Sequence, residues 1–195
     1  MPILTASDGN TPLSPEELAD LIPSLATNEE LNEWERENIL LAREWALRSR
    51  MSASGIVSDD YVRRLHRRMF DQTWKWAGRY RTTEKNLGVC FHEIRERLGI
   101  LFGDARYWME NATFSADQIA IRFHHGLVCI HPFPNGNGRH ARLMADVLVM
   151  KLGHPAFSWG STDLITPGEA RNKYLEVLRA ADNSDIQPLL EFARS

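Results

Sequence analysis

Cysteine is scarce: the 195 residues hold two, Cys90 and Cys129, whose separation matches no metal-ligand spacing. A disulfide scaffold is excluded, and both thiols are expected to be reduced and buried. Long apolar runs are missing too. No stretch approaches the roughly 18 consecutive apolar residues of a membrane span, and Met1 to Asn10 carry no basic region followed by an apolar one. The expectation is a cytoplasmic protein with no membrane contact. Nor is there an excess of positive charge: 23 Lys and Arg against 26 Asp and Glu give a net charge of −3. Such a balance offers a phosphodiester backbone no broad basic field, so direct nucleic-acid binding is not expected.

What is present reads as one globular unit. Hydrophobic residues make up 43% and charged residues 25%, and a chain of this length buries roughly 70% of the surface its unfolded form exposes. Internal repeats, low-complexity tracts and strand series are absent, which leaves an all-α fold, a helical bundle with one small β-hairpin.

Helix starts are legible. Ser14-Pro15-Glu16-Glu17 places a capping serine before a first-turn proline, and Thr27-Asn28-Glu29-Glu30 repeats the capping-box pattern ahead of the longest helix. The inward stripe of that helix is read as Leu31, Trp34, Asn38, Leu41 and Trp45. Ser58 or Asp59 caps a helix with Val62, Leu65 and Met69 inward and Arg63, Arg64, Arg67 and Arg68 in water. Helical period returns at Ile94, Leu98 and Leu101, at Ile119, Phe123, Leu127 and Ile130, and at Leu143, Val147 and Met150. Thr166-Pro167-Gly168-Glu169 opens a helix carrying Ala170, Tyr174, Val177 and Ala181, and Ile186 to Ala193 forms a last short one. Between Trp74 and Phe91 the period fails, and two extended pieces around Glu84 to Leu87 predict the hairpin.

The chemistry is concentrated in His131-Pro132-Phe133-Pro134-Asn135-Gly136-Asn137-Gly138-Arg139-His140-Ala141-Arg142. The prolines stop one helix, and Gly136 and Gly138 allow a tight turn with exposed amides at the start of the next. Such amides, at the positive end of a helix dipole, form an anion nest suited to phosphate. Arg139 and Arg142, nearly one helical turn apart, add fork-shaped donors for a polyphosphate. His131 is the nearby group able to accept a proton near neutral pH. A base beside a polyphosphate cradle points to transfer onto an activated hydroxyl. A zinc site made from His124, His125, His131 and His140 is disfavoured, because the spacing matches no zinc motif.

This segment resembles the signature of the Fic family, His-x-Phe-x-(Asp or Glu)-Gly-Asn-Gly-Arg-x-x-Arg, with Asn135 in place of the carboxylate. The resemblance runs from Val57 to Phe192, through Trp76-Ala77-Gly78-Arg79-Tyr80-Arg81, Tyr174 and Pro188-Leu189-Leu190, and is strongest to the branch called mobile mystery protein B. It implies a Fic-type helical bundle with a hairpin flap, and AMP transfer from ATP to a Ser, Thr or Tyr hydroxyl of a target protein. His131 would be the base. Gly136, Gly138 and Asn137 would hold phosphates, Arg139 would contact them, and Arg142 would take the terminal one. Asn135 would sit at the magnesium position, where manganese could substitute, with the metal weakly held because an amide gives up a charge attraction.

Fic proteins with a self-inhibiting helix carry (Ser or Thr)-x-x-x-Glu-(Gly or Asn), which Glu37-Asn38 matches at its last two positions, with Glu33 in place of the hydroxyl residue. The resemblance thus divides the chain into an extension, residues 1–55, with an inhibitory helix over 28–49, and a Fic domain, 56–195. Glu37 is expected to pair with Arg142 and withhold it from ATP. By the same resemblance the flap docks the target, with Thr82, Thr83 and Lys85 as contacts, and a small helix-turn-helix protein is a partner in a toxin-like role. Two alternatives stay open: phosphoryl transfer from the gamma position, or a nucleotide-binding interaction module with little catalysis because of Asn135.

Overall fold

Side-chain caps set the helix starts. The structure, a computed structural model, describes residues 12–25, 27–161, 164 and 168–195. Helix α1 (Pro15–Leu18) opens on a capping box in which Glu17 N–H donates to Ser14 Oγ at 3.3 Å and Ser14 N–H to Glu17 Oε2 at 2.7 Å. Thr27 and Glu30 do the same for α2 (Asn28–Arg48), as do Ser115 and Gln118 for α6 (Ala116–Ile130). Ser52 and Ser58 cap α3 (Ala53–Ile56) and α4 (Asp59–Phe70). Then follow α5 (Ile94–Glu110), α7 (Asn137–Lys151), α8 (Glu169–Asp182) and α9 (Gln187–Arg194). Thr166 and Pro167, expected to open α8, lie outside the described residues.

Helices α6 and α7 pack most extensively on each other; α5 lies on α6, α9 touches α6 and α8, and α2, α3 and α4 reach α7. The inward residues expected for α4, α5, α6 and α8 are buried, apart from Ala170 at the start of α8, which is half-buried; in α7 Leu143 and Val147 are buried while Met150 is exposed. Within the described residues no helix is long and apolar enough to cross a membrane.

Three expectations are corrected. The inward stripe of α2 is Leu31, Glu35, Asn38, Ala42 and Ala46, whereas Trp34 is 42% and Leu41 61% exposed. The small Ala42 and Ala46 let α2 approach α4, and Trp45 then stacks on Tyr61 at 5.6 Å with Arg68 over its ring. The hairpin is absent: among the described residues the one strand-type pairing is an isolated antiparallel bridge, Leu21 with Trp74. The flanks of the 81–89 loop bond elsewhere, Arg81 N–H to Pro132 O at 2.9 Å and Val89 N–H to Ile130 O at 3.4 Å, and the Arg81 guanidinium, 0% exposed, donates to the carbonyls of Thr83, Val89 and His131. Cys90 and Cys129 are exposed, not buried.

Four histidines are buried. Desolvation pushes His124 and His140 down to about 3 and His131 to about 4, and holds His66 well below its usual range. Unfolded, each titrates near 6.5, so below that pH the unfolded chain binds more protons and stability falls as pH drops. Asp146, pushed up to about 6 by burial, acts in the opposite sense between roughly pH 4 and 6, one group against four. The urea midpoint is therefore expected to fall steadily from pH 7 to pH 5; a midpoint that holds or rises would contradict the account.

Candidate functional site

Helix α6 is capped by His131, whose backbone takes the left-handed conformation (φ 54°, ψ 59°) that such a side chain seldom adopts. Its carbonyl is held by Arg81 Nε at 2.8 Å. The imidazole is buried and hydrogen-bonded to the Val128 backbone; desolvation outweighs that bond and, with the nearby charges of Arg81 and Lys85, keeps the ring neutral at ordinary pH.

The loop from Pro132 to Gly136 is braced from inside. Asn137 is 3% exposed; its Oδ1 accepts from Phe133 N–H at 2.9 Å and its Nδ2 donates to Phe133 O at 2.8 Å. Phe133 is fully buried and stacks on His66 with ring centroids 3.6 Å apart. Gly78 N–H donates to His66 Nδ1 at 3.0 Å, which leaves the ring proton on Nε2, directed at Asn135 O 3.1 Å away. Gly136 has φ 78°, and a Cβ there would stand 2.5 Å from the Phe70 ring, so only glycine fits. At Gly138 a Cβ would meet Arg142 Nη1 at an ordinary 3.7 Å. Among the described residues nothing crowds a side chain at that position.

The two arginines have different neighbours. Arg139 pairs with the buried Glu35, lies 5.0 Å over the Phe70 ring and reaches Asn135 Oδ1 at 3.4 Å. The other Glu35 oxygen accepts from Trp74 Nε1 at 2.8 Å. Arg142 lies 5.1 Å over Tyr174, whose hydroxyl bonds His124 Nε2 at 3.1 Å, and its Nη1 folds back toward Gly138.

Residues 56–149, from the end of α3 through nearly all of α7, match one known family in sequence. The family they match is Fic/DOC. The protein adenylyltransferase Fic of Nematostella vectensis is 32% identical over 146 residues, 72% of this chain and 32% of that protein. Protein adenylyltransferase fic-1 of Caenorhabditis elegans is 31% identical over 140 residues, 70% of this chain and 26% of that protein. A solved structure of part of the C. elegans protein superimposes with a TM-score of 0.65 at 27% identity, covering 92% of this chain and 52% of that one. The chain thus spans about a quarter to a third of the length of these curated relatives.

Within this segment the structure brings His131, Asn135, Gly136, Asn137, Gly138, Arg139 and Arg142 to one loop and helix start, and revises what several of them offer. Asn137 commits its Oδ1 and one Nδ2 hydrogen to Phe133, which makes it a brace of the loop. Asn135 Oδ1 already accepts from Gly136 N–H at 2.6 Å and from Arg139, so it is not poised to ligate a metal. With no carboxylate in the loop, these residues do not fit a protein-held magnesium. Glu37 is exposed and does not face the arginines; the acid of α2 that does is Glu35, bound to Arg139 and not to Arg142. Asn38 is buried and donates to Trp34 O at 2.9 Å. Lys85 is committed to Glu17 and Pro12 O, which withdraws it from docking, whereas Thr82 and Thr83 are exposed.

Glu35, His66, Phe70 and Arg81 were not singled out by sequence reasoning. For Glu35 a signal existed: Leu31, Glu35, Asn38, Ala42 and Ala46 share helical spacing, and two alanines mark a close-packed face.

Removing the Asn137 amide strands two buried backbone groups of Phe133. Asn137→Ala is expected to cost on the order of 2 to 4 kcal/mol in urea unfolding; an unchanged midpoint would return Asn137 to a purely ligand-binding role.

Proposed function

We propose that this chain transfers AMP from ATP to a Ser, Thr or Tyr hydroxyl of a protein target, and that Glu35 restrains it by occupying Arg139. The observation that carries the reading is a buried neutral histidine, held in a left-handed turn, directly ahead of a glycine-lined helix start flanked by two arginines.

In this reading His131 takes the proton of the target hydroxyl. The oxygen attacks the alpha phosphorus, the bond to the beta phosphate breaks and pyrophosphate leaves, with His131 releasing its proton afterwards. The amides at the start of α7 receive phosphate oxygens. Arg139 and Arg142 supply positive charge to the rest of the chain of phosphates. The target segment runs past the exposed Thr82 and Thr83, on the loop whose flanks bracket Ile130 to Pro132. Pro134 and Asn135 inside the motif favour the mobile mystery protein B branch, and α2 serves as the inhibitory element of the Fic segment.

Restraint follows from charge. The Glu35 carboxylate neutralises one arginine of the cradle and repels incoming phosphate. Glu35→Gln keeps an acceptor for Trp74 and removes the charge.

Label from alpha-labelled ATP is expected to enter protein targets in lysate, to rise severalfold with Glu35→Gln and to vanish with His131→Ala. Label arriving from the gamma position instead would replace AMP transfer with phosphorylation, and incorporation surviving His131→Ala would remove the base. Because His131 is pushed down to about 4, its base form persists through mildly acidic conditions. The rate at limiting ATP should hold from pH 7.5 to about 5.5 while the protein stays folded; half-loss near 6.5 would contradict the buried, neutral imidazole.

A further inference from the structure

A second cluster stands apart from the loop. Helix α6 sets His125 and Cys129 four residues apart on one face, and the last residue of α8, Asp182, meets them. Cys129 Sγ lies 3.4 Å from His125 Nε2 and 3.5 Å from Asp182 Oδ1, and His125 Nε2 lies 2.9 Å from Asp182 Oδ1. Among the described residues this is the group of His, Cys, Asp or Glu ligand atoms lying within 4.8 Å of one another.

The three distances outline one face of a coordination polyhedron. Zinc bonds of about 2.3 Å to sulfur and about 2.0 to 2.1 Å to nitrogen and oxygen, at tetrahedral angles, set ligand atoms about 3.3 to 3.6 Å apart. Two edges are near those lengths, and the third needs to open by a few tenths of an ångström. We propose that His125 Nε2, Cys129 Sγ and Asp182 Oδ1 form a zinc site with water in the fourth position. A thiolate with an imidazole suits zinc better than magnesium or calcium.

The same three residue types also build thiol nucleophiles, and the geometry argues against that use. A nucleophilic cysteine needs a histidine that draws off its proton and an acid that supports the histidine from behind. Here one carboxylate oxygen contacts both imidazole and thiol. Without a cation the thiol keeps its proton and donates it to Asp182 Oδ1 at 3.5 Å. Zinc would replace that proton, which leaves to solvent as the metal–sulfur bond forms. The bound ion would clip the end of α8 to the turn of α6 that leads into His131. The inference does not depend on AMP transfer.

The test uses the full chain, chelator-treated and fully reduced, titrated with cobalt and then zinc. Expected are a thiolate-to-cobalt charge-transfer band in the near ultraviolet and intense visible bands of a tetrahedral site. Both should saturate near one equivalent and be bleached by zinc. They should persist in Cys90→Ser and disappear in Cys129→Ser and His125→Ala. Zinc should raise the melting temperature of the unmodified chain and not that of Cys129→Ser. Asp182→Asn leaves the thiol in place and alters an exposed position; its zinc affinity should fall by more than the roughly 10- to 100-fold that the loss of an outer-shell partner costs. Absence of the charge-transfer band, its survival in Cys129→Ser, its loss in Cys90→Ser, or unchanged zinc affinity in Asp182→Asn would each overturn the proposal.

Discussion

Two hydrogen bonds between the Asn137 side chain and the Phe133 backbone, one in each direction, hold an irregular stretch of chain inside the protein, and the candidate site rests on them. Buried backbone without partners costs about 1 to 3 kcal/mol per group, so a loop that leaves α6 in a left-handed turn and enters α7 through another must find donors and acceptors nearby. Asn137 supplies two, His66 supplies a donor to Asn135 O, and Arg81 supplies one to His131 O. Phe133 fills the space beneath by stacking on His66, and Phe70 closes against Gly136. These braces fix His131 against the start of α7.

Glu35 joins that frame to α2. Its two oxygens are shared between Trp74 and Arg139, so a helix otherwise packed through alanines against α4 also sends a buried charge to the first arginine of the loop. Removing one partner of such a pair strands the other at a cost of about 3 to 5 kcal/mol. A polyphosphate arriving at Arg139 has to supply at least the charge that Glu35 now gives. The pair can therefore stabilise the ligand-free protein and oppose ligand binding by the same contact.

Much of this was legible locally. The capping boxes at Ser14 and Thr27 and the apolar periods of α4 to α8 depend on neighbours in sequence, and the loop motif announces its own turn. What escaped depends on partners far along the chain. Two interleaved stripes of α2 both have helical spacing, and the choice between Trp34 with Leu41 and Glu35 with Ala42 is made by what waits across the interface, namely Trp74 and Arg139. The hairpin fails for a similar reason: the backbone N–H groups of Arg81 and Val89 find acceptors at Pro132 and Ile130, over 40 residues away, and not across a strand pair. Cys129 and Asp182 stand 53 positions apart, and no spacing rule joins them.

If Glu35 and a nucleotide compete for Arg139, calorimetry should show ATP binding to Glu35→Gln tighter than to the unmodified chain by roughly tenfold, equivalent to about 1.4 kcal/mol, with Glu37→Gln leaving the affinity unchanged. Equal affinity in Glu35→Gln and the unmodified chain, or a gain confined to Glu37→Gln, would contradict it.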